Sequence, residues 1–226
     1  MALYDTSYEK YFGNRLIQLT NETTEDEIAN VYDKWATEYD KDVLHGAGVA
    51  YHKPLAKSLD AAIKQAFPDQ KQSQVKIIDA GAGTGLAGVE LSKLGYTKID
   101  AIDISQEMLN EAKKTKAYTK LICAPLNEQR NPEIETGEYH GLICTGTLVP
   151  AHVRPEALEE MIRMVKTGGL FSFTMRNQDV KQYEDKLLEL EKTGKWKIFS
   201  KETMPYFGDR DLPKEVNGFI YKVLKN

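Results

Sequence analysis

The run Lys76-Ile77-Ile78-Asp79-Ala80-Gly81-Ala82-Gly83-Thr84-Gly85-Leu86-Ala87-Gly88 joins an apolar strand to a helix through a glycine turn and places a carboxylate at the junction. Glycines at 81, 83 and 85 let the backbone turn sharply and approach a ligand where any Cβ would collide. The helix that follows presents free N–H groups toward the same point. Such a strand, turn and helix form the first half of a βαβ unit, and the turn suits an adenosine-containing cofactor.

Two cofactor classes use a turn of this kind. Read from Gly83, the segment Gly83-Thr84-Gly85-Leu86-Ala87-Gly88 is a literal G-x-G-x-x-G, the string of NAD-type cofactors whose pyrophosphate rests on the helix N-terminus. Asp79, expected at the strand end and facing the turn, would repel a pyrophosphate and welcome a cation. S-adenosylmethionine meets that demand: it carries a sulfonium, an ammonium and a carboxylate but no phosphate. Asp79 would offset positive charge while backbone N–H groups take the carboxylate. The next strand, Lys98-Ile99-Asp100-Ala101-Ile102-Asp103-Ile104-Ser105, ends on an acid roughly twenty residues beyond the turn, the distance of a ribose-binding carboxylate. Asp103 serves either cofactor class. It is also a candidate helix N-cap, but Ser105, with Met108 and Leu109 beyond it, is the better cap and leaves Asp103 to the ligand.

Strand-like and helix-like segments alternate from residue 75 to the end. Strands are expected at residues 75–80, 98–104, 119–124, 141–145 and 170–175, with helices at 86–94, 105–116, 155–166 and 180–192. The Gly168-Gly169 pair closes the third helix. Residues 196–202 and 219–224 make a last, antiparallel pair at one sheet edge, joined by a long connector. The expected fold is α/β: a doubly wound, mostly parallel seven-stranded sheet with an antiparallel edge hairpin. One domain covers residues 1–226, with residues 1–60 as an N-terminal helical lid and 72–226 as the Rossmann-like core. At 226 residues and 41% hydrophobic content, the chain suffices for one such domain.

The lid contains Ile28-Ala29-Asn30-Val31-Tyr32-Asp33-Lys34-Trp35-Ala36-Thr37-Glu38-Tyr39-Asp40, preceded by the capping box Thr24-Glu25-Asp26-Glu27. Ile28, Val31, Tyr32, Trp35 and Tyr39 fall on one stripe that packs the helix on the domain. Three large aromatics there also suit a cover over a cation, so Tyr32, Trp35 and Tyr39 are candidate cofactor contacts.

The strand, the D-x-G-x-G-x-G string filled at every position and the acid after the next strand resemble the class I S-adenosylmethionine-dependent methyltransferases. The turn Arg163-Met164-Val165-Lys166-Thr167-Gly168-Gly169 is similar to their "L-K-P-G-G" turn, with Thr167 in place of Pro. Within that class, "Y-D-K-W-A-T-E-Y-D-K-D-V", "I-I-D-A-G-A-G-T-G-L" and "R-M-V-K-T-G-G-L" resemble the methyltransferase-like family of the Williams–Beuren syndrome region, over most of residues 32–176. The resemblance implies a Rossmann-like methyltransferase fold, S-adenosylmethionine as methyl donor and S-adenosylhomocysteine as product. It implies cofactor contacts from Asp79, Ala80, Gly81, Ala82, Gly83, Thr84, Gly85, Asp103, Ile104 and Met108. At the end of the third strand, Ala124, Pro125 and Leu126 stand where the class often has an acid for the adenine amino group, so adenine contacts become backbone and apolar. Thr145 and Gly146 follow the fourth strand, just below the expected sulfonium, and Thr147 is a candidate for the acceptor. His152 is a candidate general base, with an ordinary hydrogen-bonding residue as the alternative. Arg176 and Tyr206 are candidate substrate contacts.

Composition excludes other classes. With 30 Lys and Arg against 34 Asp and Glu, the net charge is -4, unlike a nucleic-acid binder. No apolar run approaches membrane-spanning length and residues 1–10 lack a signal-peptide core, so a soluble, cytoplasmic protein is expected. Cys123 and Cys144 sit in apolar strand-like segments and are expected to be buried hydrophobes rather than partners in a disulfide. No cluster of acids and His binds a metal, and none of the strings used for base or cytosine methylation occurs. A small molecule or a protein offering an O or N atom is the expected acceptor. Two rivals stay open: a nicotinamide-dependent oxidoreductase, and a partner protein that holds S-adenosylmethionine without transferring its methyl group.

Overall fold

A computed structural model describes residues 12–208 and 212–225. Seven strands form one sheet: β1 Lys76–Ala80, β2 Lys98–Asp103, β3 Lys120–Cys123, β4 Tyr139–Cys144, β5 Val165–Met175, β6 Trp196–Pro205 and β7 Glu215–Val223. Their order is β3-β2-β1-β4-β5-β7-β6. All neighbours through β5 run parallel, and β7 runs antiparallel to both β5 and β6. Strand order therefore reverses between β1 and β4, where an open α/β sheet gathers its ligand.

The helices are α1 Asn14–Ile17, α2 Glu25–Asp40, α3 His52–Ala66, α4 Leu86–Lys93, α5 Gln106–Lys114, α6 Ala157–Met164 and α7 Asn177–Lys192. A six-residue π-helix, Lys41–Gly46, continues α2. Alternation along β1 divides the core between the two faces of the sheet. Ile77 joins Leu55, Leu59 and Ile63 of α3 and Leu91 of α4, whereas Ile78 joins Leu142, Phe171, Met161 and Leu187. Helix α3 runs across the expected limit at residue 60, and its Leu55 and Leu59 are completely buried.

The expected edge hairpin is present, with β7 inside and β6 outside. Pairing extends to Pro205↔Glu215, so both strands are longer and the connector shorter than the sequence suggests. Helix α6 ends at Met164 instead of reaching residue 166, because Val165 already pairs with Tyr139. The next pair is Gly141↔Leu170, so residues 166–169 bulge out of the sheet. Cys144 is buried as expected, but Cys123 is exposed, because β3 is the outermost strand. Among the described residues no helix is long and apolar enough to cross a membrane.

Candidate active site

The glycine turn is built as its sequence demands. Gly81, Gly83 and Gly85 have φ of +72°, +54° and +96°, which L side chains rarely adopt. The Gly81 and Ala82 N–H groups donate to Ile102 O at 2.8 and 3.1 Å, binding the turn to the end of β2. A Cβ at Gly81 would lie 2.3 Å from Thr147 Oγ1, so that glycine lets the β4 loop close in, while a Cβ at Gly83 would meet nothing within 4 Å.

Asp103, at the end of β2, receives the Gly83 N–H on Oδ2 at 2.8 Å and the Ser105 N–H on Oδ1 at 2.9 Å. Each oxygen keeps lone-pair capacity, and the residue lines an open cleft. Burial, opposed by these backbone donors and reinforced by the Asp33 carboxylate, raises its pKa. Ser105 is the expected cap of α5, accepting from Met108 N at 3.1 Å.

Asp79 departs from expectation. It is completely buried and absent from the cleft wall, so it makes no direct contact with a ligand there, contrary to its expected place facing the turn. Oδ2 accepts from Tyr118 Oη at 2.6 Å, while Oδ1 has no hydrogen-bond partner. Desolvation pushes its pKa up to about 7, against the pull of the Tyr118 hydroxyl and with help from the Asp103 charge. The Tyr118 ring lies on α4, where a Cβ at Gly88 would come within 2.3 Å of its Cζ and Oη. The last glycine of G-x-G-x-x-G thus makes room for Tyr118, not for a phosphate.

Helix α2 crosses above this floor. Its capping box forms, with Thr24 and Glu27 bonded reciprocally. Tyr32 and Tyr39 face the cleft together with Glu25 and Ile28. Trp35 does not: it is 1% exposed, donates its indole N–H to Asp42 Oδ2 at 2.9 Å and meets the Tyr39 ring edge-on at 4.7 Å. Its place on the stripe turns it inward, behind the two tyrosines that reach the ligand space.

Polar ties that the sequence did not suggest hold the helix down. Asp33 Oδ1 accepts from Ser105 Oγ at 2.6 Å and Glu107 N at 3.1 Å, Asp40 Oδ1 accepts from Thr84 Oγ1 at 2.6 Å, and Glu25 Oε1 accepts from Asn127 Nδ2 at 2.8 Å. The available signal was the pair of acids following Tyr32 and Tyr39, each flanking an otherwise apolar stripe.

The cleft has two ends, one on each side of β1. On the β2 side stand Asp103, Ile104 and Met108, with Pro125 and Leu126 beyond β3; on the β4 side stand Thr145, Gly146 and Thr147. Gly81, Ala82, Gly83 and Thr84 form the floor between. Ala80, Gly85 and Ala124 are not part of the wall; Ala124 instead donates its N–H to Asp103 O at 3.0 Å. His152 is partly buried at the outer rim, where the cleft meets a second, polar opening lined by Asn127, Glu128 and Arg154. Its Nε2 lies 3.2 Å from Tyr32 Oη, and desolvation with the Arg176 charge lowers its pKa to about 3. It is therefore a weak base already engaged by the lid. Arg176 and Tyr206 line a small separate cavity with Tyr51 that touches the cleft only at Gly146. Arg176 is buried and clasps Asp179 through Nε and, at 2.9 Å, Nη2. His52, which the sequence did not single out, stands in the cleft wall.

The arrangement fits an adenosine ligand: a buried carboxylate with spare acceptor capacity, open space above Gly83 and an apolar wall at Ile104, Met108, Pro125 and Leu126. A methyltransferase-domain family model matches residues 77–169. Methyltransferase-like protein 27 of Homo sapiens is 32% identical over 170 residues, covering 73% of this chain and 66% of that one. The chloroplastic magnesium protoporphyrin IX methyltransferase of Arabidopsis thaliana is 34% identical over 95 residues, covering 42% and 30%. The chain thus spans just under two-thirds of the first relative and less than a third of the second. Among solved structures, magnesium protoporphyrin IX methyltransferase from Synechocystis PCC 6803 with bound SAM superposes with a TM-score of 0.62 at 13% identity, covering 90% of this chain and 100% of that one. The [4+2]-cyclase SpnF superposes at 0.63 with 14% identity, covering 90% and 98%. These structural likenesses show the shared fold. Family model, sequence relatives and sheet order agree, and the chain belongs to the class I S-adenosylmethionine-dependent methyltransferases.

Proposed function

We propose that this protein transfers a methyl group from S-adenosylmethionine to an O or N atom of a small molecule, with catalysis mainly by positioning and desolvation. The observation that carries this is Asp103, buried at the rim of a glycine turn and still holding free lone pairs toward the cleft. The cofactor supplies a methyl carbon on a sulfonium whose departing thioether is neutral, so little is asked of side chains. Asp103 accepts from the ribose hydroxyls, the backbone of Ala82 and Gly83 borders the amino-acid end, and Ile104, Met108, Pro125 and Leu126 hold the adenine. Tyr32 and Tyr39 turn their rings toward a cation, and α2 above them keeps water from the acceptor. The absence of a long apolar helix among the described residues is compatible with a cytoplasmic setting.

Calorimetric titration with S-adenosylmethionine, S-adenosylhomocysteine and NADH in one buffer tests the proposal. Binding of the first two and not the third is expected. Binding of NADH alone would overturn it in favour of an oxidoreductase.

A further inference from the structure

His52 begins α3, directly after Tyr51, whose Oη stands 2.3 Å from where a Cβ of Gly146 would lie. His52 lines the same cleft as Gly146, at the end of β4. The residue is 9% exposed, yet it lines the cleft. The neighbouring Tyr51 ring packs against it with centroids 4.5 Å apart, and neither ring nitrogen has a hydrogen-bond partner among the described residues. A polar side chain buried to this degree normally has such a partner. Its ring nitrogens are also not among the fully enclosed orphan atoms of the described residues, where only Asp79 Oδ1 stands, so they are not sealed off in a residue that lines the cleft.

His152 cannot fill the same place. It lies at the rim shared with the second opening, and its Nε2 is taken by Tyr32. We infer that His52 is the group of this chain that meets the methyl acceptor, receiving a hydrogen bond and then the proton of an uncharged O–H or N–H. This rests on the function proposed above.

The charges of the cleft narrow the acceptor class. Glu25 and Asp103 are the ionisable acids of its wall, and neither Lys nor Arg is among the residues lining it. A carboxylate or phosphate on the acceptor would face two acids and meet no cation. Desolvation lowers the His52 pKa to about 4, so the ring is neutral at physiological pH and accepts rather than repels. In the transfer, a lone pair of the acceptor O or N forms the bond to the methyl carbon and the C–S pair stays on sulfur. The acceptor atom becomes strongly acidic as that bond forms, so its proton passes late to His52 and from there to water. A base this weak is adequate only for such a late transfer.

Diethylpyrocarbonate acylates unprotonated, accessible imidazole and needs no knowledge of the natural acceptor. Wild-type protein, alone and saturated with S-adenosylhomocysteine, is labelled at neutral pH and the sites are mapped by mass spectrometry, with phenol and aniline as acceptor probes. His52 is expected to label in both states, at least about tenfold faster than the hydrogen-bonded His152, and phenol or aniline is expected to slow it more than it slows the exposed His45, which reports any consumption of the reagent. An inert His52 in the free protein, protection by S-adenosylhomocysteine alone, or indifference to both probes overturns the assignment. Calorimetry on the same sample separates the two levels: failure of S-adenosylhomocysteine to bind rejects the proposed function, whereas binding with an inert His52 rejects only the role of this residue.

Discussion

Asp103 and Asp79 carry the same functional group and have opposite fates. Asp103 shares its charge with two backbone donors and faces the cleft, so Asp103→Ala is expected to weaken S-adenosylhomocysteine binding by about 1.5–3 kcal/mol, as befits loss of a charged acceptor for two hydroxyls. Unchanged affinity in calorimetry would refute its ribose role. Asp79 is sealed in, and its elevated pKa links it to stability. Near pH 4 the unfolded chain begins to ionise Asp79 while the folded chain keeps the proton, so stability falls with rising pH. The loss is complete once pH passes about 7, where the folded carboxyl ionises as well. The difference amounts to about 4 kcal/mol. Melting curves of wild type and Asp79→Asn should therefore diverge between pH 4 and 7, with the variant gaining; parallel curves would contradict the raised pKa. That Asp79 opens a D-x-G-x-G-x-G string was legible in the sequence. Its burial was not, because Tyr118 comes from the loop between α5 and β3 and nothing in the local pattern pairs the two.

At the level of elements, α2 is both packing unit and cover. Its capping box and aromatic stripe were legible, since both are short-range patterns. The division of labour along the stripe was not: a helical wheel places Trp35 beside Tyr32 and Tyr39 without telling which of them the neighbouring Asp42 and Arg15 draw inward. Trp35→Ala is accordingly expected to cost about 3–5 kcal/mol of folding stability through the cavity it leaves, read as a lowered midpoint in denaturant. A variant of normal stability with a faster cofactor off-rate would instead make Trp35 a ligand contact. Thr84→Val removes the hydroxyl that ties the C-terminal end of α2 to the glycine turn. Stopped-flow displacement of S-adenosylhomocysteine should show faster release, with stability lowered by only about 1 kcal/mol. An unaltered release rate would mean that this tie does not limit opening.

For the molecule as a whole, the sheet order follows from alternating strands and helices with an antiparallel final pair, and that much was readable from residue 75 onward. The boundaries that moved, at Val165 and at Pro205, are set by cross-strand register, a long-range property invisible to a local window. The same limit applies to the cleft. Asp103, Ile104, Pro125, Leu126 and Thr145 follow from their places at strand ends, and Met108 from the first turn of the helix after β2. His52 enters from a helix that the sequence left unassigned, through the contact of Tyr51 with Gly146.

The Asp79, Tyr118 and Gly88 cluster has a bearing on inheritance. Gly88 admits the ring of Tyr118, and Tyr118 supplies the hydroxyl that Asp79 accepts. A descendant that enlarged residue 88 would have to surrender the tyrosine first and leave a sealed carboxylate without that donor. These three positions should therefore drift together among homologues, and one that has lost the glycine should carry neither the tyrosine nor, in time, the acid.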